Sequence, residues 1–237
     1  MNLIKKDQNK LCFSVNTNES LANAIRRHVN EIPMIAIDEV EISRNDGPLY
    51  DETVAHRIGL VPIKMEKSFK ENSEKKLKLR FKKQGLVYSE ELKGDAQVVY
   101  DKIPLTILKE GQELNLNAIV RLGKGKEHSK FSPGLMYYRN ICEIILNKSF
   151  ANEISKRFPN KIKEKGDKII VEDNLDKPLI DFCEGIAIKN RQKAELKDKE
   201  GLVINIESFG QTSPENIFEK AIDILKKNLS EVAKKLK

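Results

Sequence analysis

Six apolar residues near the C-terminus, Phe218, Ile222, Leu225, Leu229, Val232 and Leu236, follow one another at intervals of 4, 3, 4, 3 and 4. A strand cannot use that spacing, but a helix gathers it into one narrow seam with a period near 3.5 residues. The helix has a legible start. Ser213 is placed to cap it, Pro214 occupies the first turn where its missing amide costs nothing, and Glu215 sits beside the positive end. At 1.5 Å per residue the helix from Ser213 to Leu236 runs for about 35 Å, and the face opposite the seam is Lys-rich. A stripe this narrow can pack on the chain's own sheet, on another helix of the chain, or on a helix of a partner. The pattern leaves these three open. Upstream, Leu202, Ile204 and Ile206 alternate as a strand, and Gly210-Gln211-Thr212 breaks it from the helix.

The N-terminal part reads as a strand pair, a helix and a long strand. Leu11, Phe13 and Val15 alternate with Cys12 and Ser14, and residues 7–9 form a turn before them. Asn18 can cap a helix carrying Leu21, Ile25, Val29 and Ile32, which Pro33 terminates. In MIAIDEVEIS the apolar parity slips from Ile35 and Ile37 to Val40 and Ile42, which predicts a β-bulge near Asp38-Glu39. Further on, Leu77, Leu79 and Phe81 alternate with basic residues, and Leu116, Ala118, Val120 and Leu122 form a second alternating strand. Between Asn140 and Lys199 the expectation is a helical stretch from Ile141 to Phe158, a short strand Ile169–Val171, and Lys/Glu-rich connections. Nothing repeats at a fixed period.

Composition excludes several classes. With 237 residues and 39% hydrophobic content the chain can bury one or two cores without staples. A net charge of +7 is compatible with a nucleic-acid neighbour, yet lysine and glutamate are interspersed and no basic block stands alone. Tryptophan is absent and aromatics are 6%, which argues against a stacking platform for single strands. No apolar run approaches the ~20 residues that cross a bilayer. The lysines of MNLIKKDQNK are not followed by the apolar core of a signal peptide. The expectation is therefore a cytoplasmic protein away from membranes.

Candidate chemistry is sparse. Cys12, Cys142 and Cys183 are widely separated, no CxxC occurs, and their expected role is small apolar filling rather than a disulfide or a metal site. The glycines of LGKGKEHSKFSPG cannot be read as G-x-x-x-x-G-K-[ST], so they are assigned to a turn and not to a phosphate cradle. His28, His56 and His128 lie far apart, and no G-x-S-x-G elbow is present. The pairs Asp38-Glu39 and Asp51-Glu52 stand on adjacent positions, which should keep them off a common face and leave them as surface or contact charge. No catalytic site is predicted.

Separated stretches of the chain carry a family likeness. The run Asn23-Ala24-Ile25-Arg26-Arg27, with Ile32-Pro33 and Ala36-Ile37-Asp38-Glu39-Val40, resembles the alpha-type assembly subunits of RNA polymerases. The run from Asp51 to Pro62, DETVAHRIGLVP, is similar to the archaeal and eukaryotic branch of that family, in which the eukaryotic member is the third polymerase subunit. Residues 123–133 resemble the same branch, and Phe209 to Leu229 resembles the family's C-terminal dimer helix. Together the stretches appear in the family's order and cover most of the chain.

The resemblance implies an α+β fold with a discontinuous dimerisation domain, a sheet plus two helices, formed by residues 1–44 and 200–237. A mainly β domain, 45–199, would be inserted within it. It implies a noncatalytic scaffold of DNA-directed RNA polymerase that pairs with subunit L, binds subunits N and P, and docks the second-largest subunit. DNA would be met only through the complex. The dimer interface would comprise Leu21, Ile25, Val29, Phe218, Ile222, Leu225, Leu229 and Val232. Arg26, Arg27, Asp51, Glu52, His56 and Arg57 would face the large subunit, where an arginine fork can hold carboxylates or carbonyls in fixed geometry. Many archaeal relatives carry a cysteine-rich, ferredoxin-like insert. Here the corresponding region, 141–196, keeps only Cys142 and Cys183, too few for an iron–sulfur cluster that needs four thiolates, so a cluster-free remnant is expected. The competing class is a free-standing basic nucleic-acid-binding protein, supported by charge alone.

Overall fold

The computed structural model describes residues 1–66, 69–70, 73–159, 161–175 and 179–236. In chain order the elements are β1 (Asn2–Lys6), β2 (Lys10–Val15), α1 (Glu19–His28), β3 (Pro33–Asn45), α2 (Asp51–Gly59), β4 (Lys75–Phe81), β5 (Gly85–Tyr88), β6 (Lys93–Gly94), β7 (Pro104–Leu108), β8 (Leu114–Lys124), β9 (Gly134–Asn147), α3 (Ala151–Arg157), β10 (Ile162–Lys165), β11 (Lys168–Glu172), α4 (Leu179–Lys189), β12 (Glu195–Ser208) and α5 (Pro214–Lys235). The fold is α+β, as expected. The chain divides into two compact units: residues 1–23 with 136–206, and residues 24–135 with 207–237. Each of the segments 1–44 and 200–237 contributes to both.

The second unit is built on an antiparallel sheet in the order β3-β8-β4-β6, beside a two-stranded β5-β7 sheet. Alternation decides which face is dry. Leu77 and Leu79 of β4, and Leu116, Ala118 and Val120 of β8, point into a core with Ile35, Ile37, Val54 and Ile58, while Lys76, Lys78 and Arg80 stay wet. The parity slip in β3 is a real bulge: the register with β8 shifts between Ile37 and Glu39. That extra residue also overturns the expectation for Asp38 and Glu39. Consecutive strand residues normally face apart, but here both carboxylates reach the same guanidinium, that of Arg121.

The other unit carries a six-stranded sheet in the order β1-β2-β12-β9-β11-β10. Here the helix expected over Ile141–Phe158 is corrected. Ile141 to Asn147 complete β9, a 3-10 turn follows over Lys148–Phe150, and only Ala151–Arg157 are α-helical. Local spacing allowed a helix, but pairing with β11 (Ile144 opposite Val171, Leu146 opposite Ile169) decides for a strand. The strand Ile169–Val171 is present within β11, whereas α4 falls where only polar connections were expected. Within the 141–196 region, residues 160 and 176–178 lie outside the described residues. The rest has a core of its own, with Ile144, Leu146, Ile154, Ile169, Val171 and Cys183 among its buried members.

Candidate assembly surface

Helix α5 starts as its sequence dictates, with the Ser213 hydroxyl accepting from the Asn216 amide at 3.3 Å. Gly210, just before it, has φ +93, and a Cβ there would lie 2.5 Å from the Tyr100 hydroxyl, so this position needs glycine twice over. The helix carries two apolar stripes. One consists of Pro214, Ile217 and Ala221, all buried, and continues through half-buried Ile224 to Asn228, whose amide lies 3.2 Å from His28 Nε2. This stripe seats α5 on the end of α1 and the 3-10 turn Val29–Glu31. The other stripe is the seam read from sequence. Phe218, Ile222 and Leu225 are half-buried, while Leu229, Val232 and Leu236 are 60%, 55% and 83% exposed.

The remaining predicted interface residues divide differently. Ile25 and Val29 are buried within the chain, and Leu21 is 47% exposed. Asn18 caps α1 through its side-chain oxygen on the Leu21 amide, at 2.8 Å. The stripe Ile217, Ala221, Ile224 was missed by sequence reasoning, although its own 4-3 spacing, one position before the seam, was visible.

Arg26, Arg27, Asp51, Glu52, His56 and Arg57 are all exposed. The last four lie on α2, which packs on β3 and β7. Asp51 and Glu52 occupy its positive N-terminal turn, and His56 and Arg57 its last turn, so the helix dipole favours each. Asn45 fastens the start of α2 by donating to Asp51 Oδ1 at 2.7 Å and to the Leu49 carbonyl at 2.8 Å. Arg57 spends one N–H on the Pro104 carbonyl at 2.6 Å, which fixes its direction. Arg26 and Arg27 stand in the last turn of α1, next to the α5 contact, so the two parts of the predicted docking set have different neighbours.

The loop after β8 is tied to the same region. The Lys126 amide donates to the Asn30 carbonyl at 3.0 Å, and Lys126 and Lys124 both reach Glu31. Its first glycine is not a turn residue. Gly123 lies inside β8, where a Cβ would stand 2.7 Å from the Phe131 ring; Gly125 is in the turn, and a Cβ there would stand 2.8 Å from Asn30 Oδ1. Both glycines permit close approach of a neighbouring side chain. Lys130 then donates to Asp38 Oδ1 at 2.6 Å, joining an ionic cluster with Arg121, Glu39 and Glu74. The hydrogen bond from Lys130, and then its charge, hold the Asp38 carboxyl below the usual carboxylate range despite partial burial. Thus the NEIP–AIDEV and GKEHSKFSP stretches, about 90 residues apart, meet in space.

Among the described residues no group of three or more His, Cys, Asp or Glu side chains is arranged to hold a metal ion. Burial pushes the Cys183 thiol up to about 12, and burial followed by the Asp173 charge raises Cys142.

Residues 40–136 match the RNA polymerase Rpb3/RpoA insert domain. The chain is 34% identical over 166 residues to DNA-directed RNA polymerase subunit Rpo3 of Thermococcus kodakarensis, covering 63% of this chain and 64% of that protein. With the Rpo3 subunit of Pyrococcus horikoshii the identity is 30% over 240 residues, spanning 94% and 92% of the two chains. This chain belongs to the Rpo3 family. DNA-directed RNA polymerase II subunit rpb3 of Dictyostelium discoideum is 28% identical over 271 residues, 92% of this chain and 87% of that protein. The Rpo3 family likeness therefore extends well beyond the matched insert. No helix is long and apolar enough to cross a membrane among the described residues.

Proposed function

We propose that this Rpo3-family chain is a noncatalytic assembly subunit of a cytoplasmic DNA-directed RNA polymerase. It pairs with subunit L through the open seam of α5, binds subunits N and P, and docks the second-largest subunit through Arg26, Arg27 and the exposed face of α2. It meets DNA only through the assembled enzyme. The observation that carries this reading is the second apolar stripe of α5. A helix that already has one buried stripe needs no further apolar face for its own packing, and three large apolar side chains standing in water mark an interaction surface. On this reading segments 1–44 and 200–237 act together as a pairing surface, although each supplies residues to both compact units. Ile25 and Val29 are then part of the chain's own core, while Leu21 offers exposed area. The Cys142 and Cys183 environments support a cluster-free 141–196 region: one thiol is buried among apolar side chains, and both are held protonated.

The test is co-expression with subunit L. Ile222→Glu with Leu225→Glu places two charges in the seam and should abolish the heterodimer on size-exclusion chromatography with light scattering. An unchanged complex mass would refute the seam as the interface.

A further inference from the structure

The unit formed by residues 24–135 and 207–237 contains a recess of about 430 Å³. Its walls come from three stretches that carry the family likeness and from the loop before β7. Leu60 and Pro62 follow α2, Ser129 to Ser132 belong to the loop after β8, and Ser208 to Gln211 precede α5. Three large apolar side chains stand partly in water at this recess: Leu60 at 49%, Tyr100 at 41% and Phe209 at 40%. Nothing in the reading of the seam or of the α2 charges uses them.

The polar groups around the recess say what it can hold. The Lys130 ammonium is committed to the Asp38 carboxylate and carbonyl, at 2.6 and 3.2 Å. The Ser132 hydroxyl lies 3.1 Å from both Asn30 Oδ1 and the Gly134 carbonyl. Ser208 Oγ donates to the Thr212 carbonyl and accepts from the Gly210 amide at 2.9 Å. Gln211, itself buried, gives its amide to the Ile35 carbonyl at 3.3 Å. A polar ligand entering here would lose hydration against groups that are already paired within the protein. A small molecule is oriented by convergent donors and acceptors, and these four side chains already direct theirs to partners within the protein. An apolar side chain has no such cost, and Leu60, Tyr100, Ile103 and Phe209 offer it contact on several sides.

The recess also continues the proposed docking face. Leu60 follows directly on the helix that presents His56 and Arg57, and Arg57 is hydrogen-bonded to the carbonyl of Pro104, next to Ile103 in the wall. We propose that this recess receives one large apolar side chain of the protein that docks on α2, which by the function proposed above is the second-largest polymerase subunit. It would supply the apolar anchor of an interface whose rim is the charged set Asp51, Glu52, His56 and Arg57. Anchors of this kind, seated in a pocket and ringed by polar contacts, carry most of the affinity in protein interfaces.

The test uses the heterodimer with subunit L, with the second-largest subunit as probe, and reads affinity by biolayer interferometry. Leu60→Asp should weaken docking tenfold or more with unchanged thermal midpoint and intact pairing with subunit L, while Leu60→Met should stay within threefold of the parent. The paired change Glu52→Lys with His56→Glu reports on the rim. If the rim variant weakens docking but Leu60→Asp stays within twofold of the parent, the docking reading stands and the recess is overturned. If Leu60→Met loses as much as Leu60→Asp, the side chain does not act through apolar contact and the recess is again overturned. If neither variant changes docking, or the unaltered heterodimer fails to bind, both readings fall.

Discussion

Ile217 and Leu229 stand twelve residues apart on α5 and differ in one respect: Ile217 is fully buried within the chain and Leu229 is 60% exposed. Removing the Ile217 side chain beyond Cβ leaves a cavity beside Gly134, and buried isoleucine-to-alanine changes cost roughly 2–5 kcal/mol. At this chain length that lowers the midpoint by about 2–4 °C per kcal/mol, so Ile217→Ala should melt about 4–20 °C early. Leu229→Ala removes a side chain that water already reaches. Its effect on the isolated chain should stay within about 0.5 kcal/mol. In the heterodimer the order reverses. Burying the exposed part of a leucine is worth about 1–2 kcal/mol, given ~1.5–3 kcal/mol for a full side chain. Leu229→Ala should therefore raise the dissociation constant for subunit L by about 5–30-fold. Differential scanning fluorimetry on the isolated chain, paired with isothermal titration against subunit L, separates the two. Equal destabilisation of the isolated chain by both variants would refute the assignment of two stripes, and unchanged affinity for Leu229→Ala would refute the role of the outer one.

Two further outcomes are expected. The Asp38 carboxyl is held below its ordinary value by Lys130, so its contribution to stability is complete above about pH 4 and is lost as pH falls through the lowered value. Asp38→Asn should flatten the acid limb of the stability curve below about pH 4 in urea titrations; a parallel shift at all pH values would contradict the pairing. Because burial raises the Cys183 thiol to about 12, iodoacetamide at pH 7.5 should leave it unlabelled in the folded protein and label it fully in urea, as read by peptide mass spectrometry. Rapid labelling of the folded chain would place that thiol outside the core.

Much of the candidate surface was legible because it depends on local periodicity. The Ser213–Pro214 start, the seam on α5, the Asn18 cap and the bulge after Ile37 each follow from residues within one or two turns or one strand. What sequence reasoning missed involves partners far along the chain. Ile141 to Asn147 could be helical by spacing, and became strand because Ile169 and Val171 supply edge pairing. Gly123 has the look of a turn glycine in sequence, yet it serves the Phe131 ring that lies over it. Asp38 and Glu39 were placed on opposite faces by a rule that holds only without a bulge.

The sequence by itself determined that this chain carries an amphipathic C-terminal helix, an α+β fold and the family likeness that comparison upholds. Those depend on residue order, which fixes periodicity, caps and breaks. Which stripe of α5 is buried was decided only by tertiary structure. So was the meeting of the NEIP–AIDEV loop with GKEHSKFSP, and so was the recess beside α2. Each depends on burial against residues distant in sequence, and burial is a property of the packed chain: Ile217 and Leu229 are both aliphatic residues at helical spacing, and only the fold leaves one dry and the other in water.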